Sequence, residues 1–251
     1  MTAGGRRTDE GRRELARLLS KARAVTVFTG AGISTECGVP DYRSPGSPWR
    51  VHRPIGFKDY LVDPAQRAEA WRRKFAMDDL YAGARPGRGH RAVARWAGQG
   101  LLHSVVTQNI DGLHQAAGLP AHSLVELHGN GTYAHCLACG ARHPLAPIRV
   151  RFERDAALPV CDCGGIVKSA SIAFGQPLVP DDLERAADAA LGCDLFVILG
   201  STLLVRPAAR FPELALGNGA RLAIVNREPT PLDTEADVVI HDDIGDVLDL
   251  L

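Results

Sequence analysis

Near its N-terminus the chain carries the stretch Ala24-Val25-Thr26-Val27-Phe28-Thr29-Gly30-Ala31-Gly32-Ile33-Ser34. Residues 24–28 are rich in β-branched and aromatic side chains, which is typical of a short buried strand. A strand that runs into Gly-x-Gly, followed by a serine, is how many α/β proteins bring backbone N–H groups up to a phosphate. The stretch therefore predicts a nucleotide-binding loop at the end of a first strand.

This loop departs from the dinucleotide fingerprint Gly-x-Gly-x-x-Gly, because Thr35 occupies the position of the third glycine. Gly38 and Pro40 then break any helical pattern within a few residues. The loop therefore indicates a nucleotide site that differs from that of a hydride-transferring dehydrogenase, which is the least favoured enzyme class.

The rest of the chain repeats an alternation of apolar strands and helical patterns. Further strands are predicted at 103–107, 194–199, 221–226 and 236–240, and a helix at 181–191. Near-continuous apolar strands alternating with helices indicate a Rossmann-like α/β fold, a parallel sheet with helices on both faces. The sequence assigns residues 1–50, 86–132 and 166–251 to this domain, and residues 51–85 (helical) and 133–165 (cysteine-bearing) to a small second domain.

The composition argues against several classes of partner. The chain has 29 basic and 29 acidic residues, so it shows no electrostatic footprint for nucleic acid or for a membrane surface. Its N-terminus lacks the apolar segment of a secretion signal, and its longest strong apolar run, 195–199, is too short to span a bilayer. We expect a monomeric cytoplasmic protein that contacts neither nucleic acid nor membrane.

Four of the six cysteines cluster as Cys136-x-x-Cys139 and Cys161-x-Cys163. In an intracellular chain such clustering indicates a metal site before a disulfide framework. Four thiolates complete the tetrahedral set of a structural zinc and leave no position for water. We therefore predict one structural zinc. His135 and His143 are alternative ligands, although loop histidines are more often solvated.

Polar groups follow the predicted strands at the edge where open α/β sheets bind ligands. Asn109 and Asp111 lie two residues apart, which aims both side chains to one side of an extended backbone or, alternatively, places them at a helix N-cap. His128, in Glu-Leu-His-Gly, is the best general-base candidate, because an unperturbed histidine has a pKa of about 6.5. An ordinary structural histidine is the equally weighted alternative.

Taken together, these motifs resemble the sirtuin family of NAD-dependent protein deacylases, over nearly the whole chain after about residue 15. The motifs are Gly30-Ala31-Gly32-Ile33-Ser34, Gly38-Val39-Pro40-Asp41-Tyr42-Arg43, Thr107-Gln108-Asn109-Ile110-Asp111-Gly112-Leu113-His114, Glu126-Leu127-His128-Gly129, the paired cysteines, Phe174-Gly175-Gln176, Gly200-Ser201-Thr202-Leu203 and Val225-Asn226. Their number and order make the resemblance highly specific.

The resemblance implies an enzyme that consumes NAD to remove acyl groups from lysine side chains of protein substrates. The products would be nicotinamide, free lysine and O-acyl-ADP-ribose. By resemblance, the catalytic residues are His128, the base for a ribose hydroxyl, and Asn109. The implied NAD-binding residues are Gly30, Ala31, Gly32, Ser34, Asp41, Tyr42, Arg43, Gln108, Asn109, Ile110, Asp111, Gly200, Ser201, Thr202, Asn226, Arg227 and Ile244. The implied walls of the acyl-lysine tunnel are Tyr42, Ile172, Ala173 and Phe174.

Some positions depart from the commoner family pattern. Residues 168–173 replace a more usual Arg-Pro-Asp-Val-Val run, and Tyr42 stands where phenylalanine is usual. Arg53-Pro54-Ile55 and Trp71-x-Arg73-x-Phe75 resemble the branch that contains mitochondrial lipoamidase and ADP-ribosyltransferase sirtuins. Two alternatives therefore stay open, a protein mono-ADP-ribosyltransferase and a non-catalytic NAD- or ADP-ribose-binding module with a zinc ribbon.

Overall fold

A computed structural model of the chain describes residues 3–41, 47 and 53–249. Tyr42 and Arg43, both expected to contact ligands, lie outside these residues. Within them the strands are β1 Val25–Thr29, β2 Leu102–Thr107, β3 Leu124–Glu126, β4 Gly129–Cys136, β5 Arg142–Pro144, β6 Val167–Ser171, β7 Leu195–Leu199, β8 Arg221–Val225 and β9 Val238–Ile240. The α-helices are α1 Ala3–Lys21, α2 Phe57–Val62, α3 Pro64–Leu80, α4 Arg88–Gly98, α5 Leu113–Ala116, α6 Leu145–Asp155, α7 Pro180–Leu191, α8 Arg210–Gly217 and α9 Ile244–Leu248.

Six strands form a parallel sheet in the order β3-β2-β1-β7-β8-β9. Alternate residues of each strand point to opposite faces, so Val197 packs in one core while Phe196 and Ile198 pack in the other. Helices α1, α4 and α9 cover the first face, and α7 and α8 cover the second. Because both faces are buried, the strands are largely apolar. The buried polar exceptions include Thr26, Thr29 and Thr107. The predicted parallel sheet with helices on both faces is confirmed.

A second, three-stranded antiparallel sheet has the order β5-β4-β6. It packs with α3 and α6 around a separate core in which Trp71 stacks on Phe75, with ring centroids 5.5 Å apart. The ring centroid of Phe152 in α6 lies 5.8 Å from that of Phe75. The predicted segments 51–85 and 133–165 thus contribute to one small lobe. The small sheet also takes in Gly129 and Ser171, so the domain boundaries given above stay a prediction.

The loop after β1 forms a seven-residue 3₁₀ helix, Ala31–Cys37, in place of an α-helix. Gly38 ends it with a φ of 83°, and its N–H reaches the carbonyl oxygens of Ser34 and Thr35. That left-handed conformation favours glycine, since a Cβ would strain it. The early end predicted from Gly38 is therefore observed.

Among the described helices, none combines the length and the apolar composition that a membrane span requires.

Candidate active site

The strand order reverses at β1, with β2 and β3 on one side of it and β7, β8 and β9 on the other, which opens a crevice at the carboxyl ends of the strands. A cavity of about 1210 Å³ occupies this crevice and extends toward the small lobe. Its lining includes most of the predicted site residues, namely Gly30, Ala31, Gly32, Asp41, Gln108, Asn109, Ile110, Asp111, His128, Ile172, Ala173, Phe174, Gly200, Ser201, Thr202, Asn226, Arg227 and Ile244. Segments that follow all six parallel strands, together with the small sheet, thus meet at one cavity.

The two glycines of the first loop pack against the loop after β7. A Cβ on Gly30 would lie 2.6 Å from the carbonyl oxygen of Gly200, and one on Gly32 would lie 2.6 Å from the Cα of Gly200. The N–H of Gly32 donates to that carbonyl at 2.9 Å, and Gly200 itself has a φ of 68°. The glycines are therefore needed because the two loop backbones are in contact. This reason is separate from the approach to a phosphate.

Ser34 is fully buried and lies behind the lining of the cavity. Its hydroxyl donates to Oδ2 of Asp111 at 2.7 Å and accepts from Nδ2 of Asn109 at 3.3 Å. The same amide nitrogen donates to the carbonyl of Gly30 at 3.0 Å. Because these bonds use the amide nitrogen of Asn109, its Oδ1 is the atom that it offers to a ligand.

Asn109 and Asp111 do converge on one point, the hydroxyl of Ser34, as the two-residue spacing predicts. Asp111 also accepts a bond at Oδ1 from the N–H of Leu113, the first residue of α5, at 2.9 Å. Asp111 therefore bonds the helix start from one residue before the N-cap, which is Gly112, so the N-cap interpretation is wrong. Its ligand-facing role stays a prediction.

The imidazole of His128 is oriented by one backbone carbonyl. Its Nδ1 lies 3.0 Å from the oxygen of Gln108, which can only accept, so Nδ1 carries the hydrogen and Nε2 carries the free lone pair. Burial lowers the pKa of His128, against a smaller raising effect of the hydrogen bond to Gln108. The ring is thus neutral at neutral pH, and Nε2 is able to accept a proton.

The predicted acyl wall begins where β6 ends. The N–H of Ile172 donates to the carbonyl of His128 at 2.7 Å, so wall and base are directly bonded through the backbone. The N–H of Phe57, at the start of α2, donates to the carbonyl of Phe174 at 2.8 Å. The side chain of Phe174 is 66% exposed. The wall is therefore held from both lobes and ends in an exposed aromatic ring.

The far end of the cavity lies over β7, β8 and β9. Gln108 donates from Nε2 to the hydroxyl of Ser201 at 2.9 Å, which joins two predicted ligand residues. Sequence reasoning missed several residues that line the cavity, including Glu36, Trp71, Lys74, Lys168, Glu228, Asp242 and Asp243. Three of them carry a signal in the sequence. Glu228 follows Asn226 by two residues at the same strand end, Trp71 belongs to the branch motif, and Lys168 begins the unusual run 168–173.

The four predicted cysteines lie together at one end of the small sheet, with all four sulfurs within 4.8 Å of one another. The Sγ atoms of Cys136 and Cys163 are 3.5 Å apart, and those of Cys139 and Cys161 are 3.7 Å apart. Tetrahedral Zn–S bonds of about 2.3 Å require sulfur–sulfur separations of about 3.8 Å. A Cβ on Gly165 would lie 2.5 Å from the sulfur of Cys136, so glycine is needed there. The four sulfurs fit one zinc. Cys161 and Cys163 both belong to the set, although only one residue separates them.

Fold and site together define a nucleotide-binding α/β enzyme with a cysteine-bearing second lobe. The model of the Sir2 family matches residues 30–207. An NAD-dependent protein deacetylase of Rhodopseudomonas palustris is 49% identical over 239 residues, which are 95% of this chain and 94% of that protein. NAD-dependent protein deacetylase 1 of Bradyrhizobium diazoefficiens is 48% identical over 238 residues, with coverages of 95% and 94%.

Solved structures agree with these relatives. The structure of Sir2Tm bound to a propionylated peptide is 30% identical with a TM-score of 0.83, and the match covers 95% of each chain. A complex of Sir2 with a p53 peptide and NAD⁺ is 31% identical with a TM-score of 0.82, again with 95% of each chain covered. This chain belongs to the Sir2 family, as the motif resemblance predicted.

Proposed function

We propose that the chain is an NAD-dependent protein-lysine deacylase that releases nicotinamide and passes the acyl group to the ADP-ribose part of NAD. Its class, NAD-dependent protein deacetylase, is that of its curated relatives. One observation of the site supports the mechanism most strongly. The free Nε2 of His128 faces the same cavity as Asn109 and Asp111, the groups proposed to hold the nicotinamide end.

In this mechanism NAD supplies an electrophilic ribose carbon with nicotinamide as the leaving group. Asn109 and Asp111 orient the nicotinamide end, since Ser34 bonds both side chains. Ile172 and Phe174 position the acyl-lysine beside the base. The carbonyl oxygen of the acyl-lysine displaces nicotinamide at that ribose carbon. Nε2 of His128 then accepts the proton of a ribose hydroxyl, whose oxygen bonds to the acyl carbon. The lysine amine leaves with a proton, and water adds to release O-acyl-ADP-ribose. Proton transfer of this kind contributes about 10²- to 10⁴-fold to a rate.

The other end of the cavity has its own proposed role. Gly200, Ser201, Asn226 and Ile244 bind the adenosine end of NAD, beyond the Gln108–Ser201 hydrogen bond. The substrates are acyl-lysine proteins, and the enzyme acts as a cytoplasmic monomer without contact to nucleic acid or membrane. The four cysteines would hold a structural zinc, which supplies no chemistry to the reaction because thiolates fill its coordination sphere.

The test uses NAD with acyl-lysine peptides of several chain lengths and measures nicotinamide and free lysine together. His128→Ala should lower the rate by about 10²- to 10⁴-fold. His122→Ala, at an exposed position, should match the wild type. Because the pKa of His128 is lowered, the wild-type rate should begin to fall only below a pH of about 6.5.

Two results would contradict this function. Transfer of label from adenine-labelled NAD to protein, with no need for an acyl group, would indicate an ADP-ribosyltransferase. Binding of NAD that stays intact after long incubation would indicate a non-catalytic module.

A further inference from the structure

Behind the cavity wall, buried hydroxyl and imidazole groups form a row that the mechanism above does not use. Thr29 of β1 and Thr107 of β2 are direct neighbours in the parallel register. The hydroxyl of Thr29 donates to that of Thr107 at 2.7 Å, and Nε2 of His114 lies 3.0 Å from the hydroxyl of Thr29. These three residues are at most 2% exposed. No solvent therefore competes for their hydrogen bonds.

The row ends at Asn109. The hydroxyl of Thr107 accepts a bond from the backbone N–H of Asn109 at 3.0 Å. The side chain of Asn109 is in turn bonded to Gly30 and Ser34. Thr107 thus holds the backbone of the residue whose side chain faces the cavity.

The direction of these bonds follows from the charge of His114. Burial lowers the pKa of His114 to about 3, and the nearby ring of His90 adds to the effect, so His114 is neutral with one N–H. Its Nδ1 is buried without a hydrogen-bond partner among the residues that the structure describes. A buried unpaired N–H is rarer than an unpaired acceptor, which assigns the hydrogen to Nε2. His114 then donates to Thr29, Thr29 donates to Thr107, and Thr107 accepts from two donors.

Thr26, on the same strand, shows what an ordinary buried hydroxyl does. It is also fully buried, and its hydroxyl donates to the carbonyl of Ala189 in α7 at 2.7 Å. This bond joins strand to helix on the sheet face opposite to that of Thr29. Thr26 therefore has the burial of Thr29 and Thr107 but no bond to the row.

We propose that Thr107, supported by Thr29 and His114, is a positioning residue that aims Asn109 at the nicotinamide end of NAD and so sets the rate of nicotinamide–ribose cleavage. The inference rests on the proposed role of Asn109. Loss of the Thr107 hydroxyl frees the N–H of Asn109 and lets its side chain shift. Displacements of about 1 Å at a reacting centre cost up to about a hundredfold in rate.

The experiment compares Thr107→Val, Thr107→Ser and Thr26→Val by exchange of labelled nicotinamide into NAD, by kcat and KM for NAD and acyl peptide, and by thermal unfolding. Thr107→Val should lower exchange and kcat by about ten- to a hundredfold with an unchanged KM for peptide. Thr107→Ser keeps the acceptor and should restore most of the rate. Thr26→Val should lose comparable thermal stability and keep the wild-type rate.

Wild-type exchange in folded Thr107→Val would overturn the inference, as would an equal loss of rate in Thr26→Val. If Thr107→Val does not fold, Thr29→Val replaces it. That variant keeps the Thr107–Asn109 bond and should show a smaller loss in the same direction, whereas a wild-type rate would overturn the inference. The variant Asn109→Ala distinguishes a failure of the positioning role of Thr107 from a failure of the proposed function. Full exchange in that variant would contradict the proposed function itself.

Discussion

Arg88 donates from Nε to Oε2 of Glu36 at 3.0 Å and so joins the start of α4 to the 3₁₀ helix that borders the cavity. The same guanidinium reaches Asp243 at 3.4 Å and also bonds Asp246. Asp243 is the N-cap of α9, which begins with Ile244 of the proposed adenosine site. One cation therefore connects three segments around the far end of the cavity.

Replacing Arg88 by alanine should raise the KM for NAD by about three- to tenfold, because the ion pairs that hold Glu36 and Asp243 at the far end of the cavity are lost. Arg149→Ala is the matched control. Its side chain is 33% exposed against 34% for Arg88, and it bonds Asp79 and Glu153 on the small lobe. Steady-state kinetics at two salt concentrations measure the difference. Equal KM values for NAD in the two variants would contradict a role of Arg88 in NAD binding.

Replacing Gly32 by alanine should destabilise the fold by about 1–3 kcal/mol, the usual range for overpacking. The added Cβ meets the backbone of Gly200 at 2.6 Å, which no change of side-chain rotamer relieves. Urea unfolding measures this loss, and calorimetry measures the accompanying loss of NAD affinity. Gly98→Ala is the control, since none of the described residues lies within 4 Å of a Cβ there. That helix should gain up to about 1 kcal/mol. A fully stable Gly32→Ala protein would show that the two loops do not need to touch.

Replacing Cys161 by serine should abolish stoichiometric zinc, which elemental analysis measures at about one equivalent per chain in the wild type. Cys193→Ser should keep the metal, because Cys193 is buried outside the cluster, where its thiol donates to the carbonyl of Ala190. A strong chelator should lower the unfolding temperature of the wild type toward that of Cys161→Ser. Full occupancy in Cys161→Ser would mean that another group completes the site.

Stability should fall in acid because of His114. Its folded-state pKa, lowered to about 3 by burial, lies below the unfolded value of about 6.5. The stabilisation by the neutral ring is therefore complete above about pH 6.5 and is lost as the pH falls toward 3. One proton corresponds to about 1.4 kcal/mol per pH unit.

Urea unfolding between pH 6 and pH 5 tests this dependence. His114→Gln should show a shallower fall than the wild type, by up to about 1.4 kcal/mol per pH unit. His122→Gln, at an exposed position, should run parallel to the wild type. If the free energy of unfolding falls in parallel for all three proteins, protonation of His114 is not coupled to unfolding.

Much of the fold could be predicted because its signals are local. The first strand, its glycine loop and the strand at 195–199 are each visible within about ten residues of sequence. The parallel sheet follows from their apolar character. The Asn109–Asp111 pair is equally local. The contact of this pair with Ser34 is not local in sequence, because Ser34 follows β1 and the pair follows β2. The contact forms only when these two strands pair.

The missed features depend on contacts between distant residues. Glu36, Arg88 and Asp243 are ordinary charges in the sequence, and only the packing of α4 against α9 brings them together. The contact of Gly32 with Gly200 likewise joins loops that follow two different strands. Such contacts are set by strand order, which periodicity does not determine.

The strand β4 begins directly after His128 and ends at Cys136, and its partner β6 leads back to Ile172. The proposed base and the proposed acyl wall thus lie side by side at one end of an antiparallel ribbon, and the other end carries the cysteines. The proposed adenosine contacts come from a different part of the chain, after β7, β8 and β9. Mutations in the ribbon are therefore free to diversify the acyl chains accepted while the dinucleotide pocket is inherited unchanged.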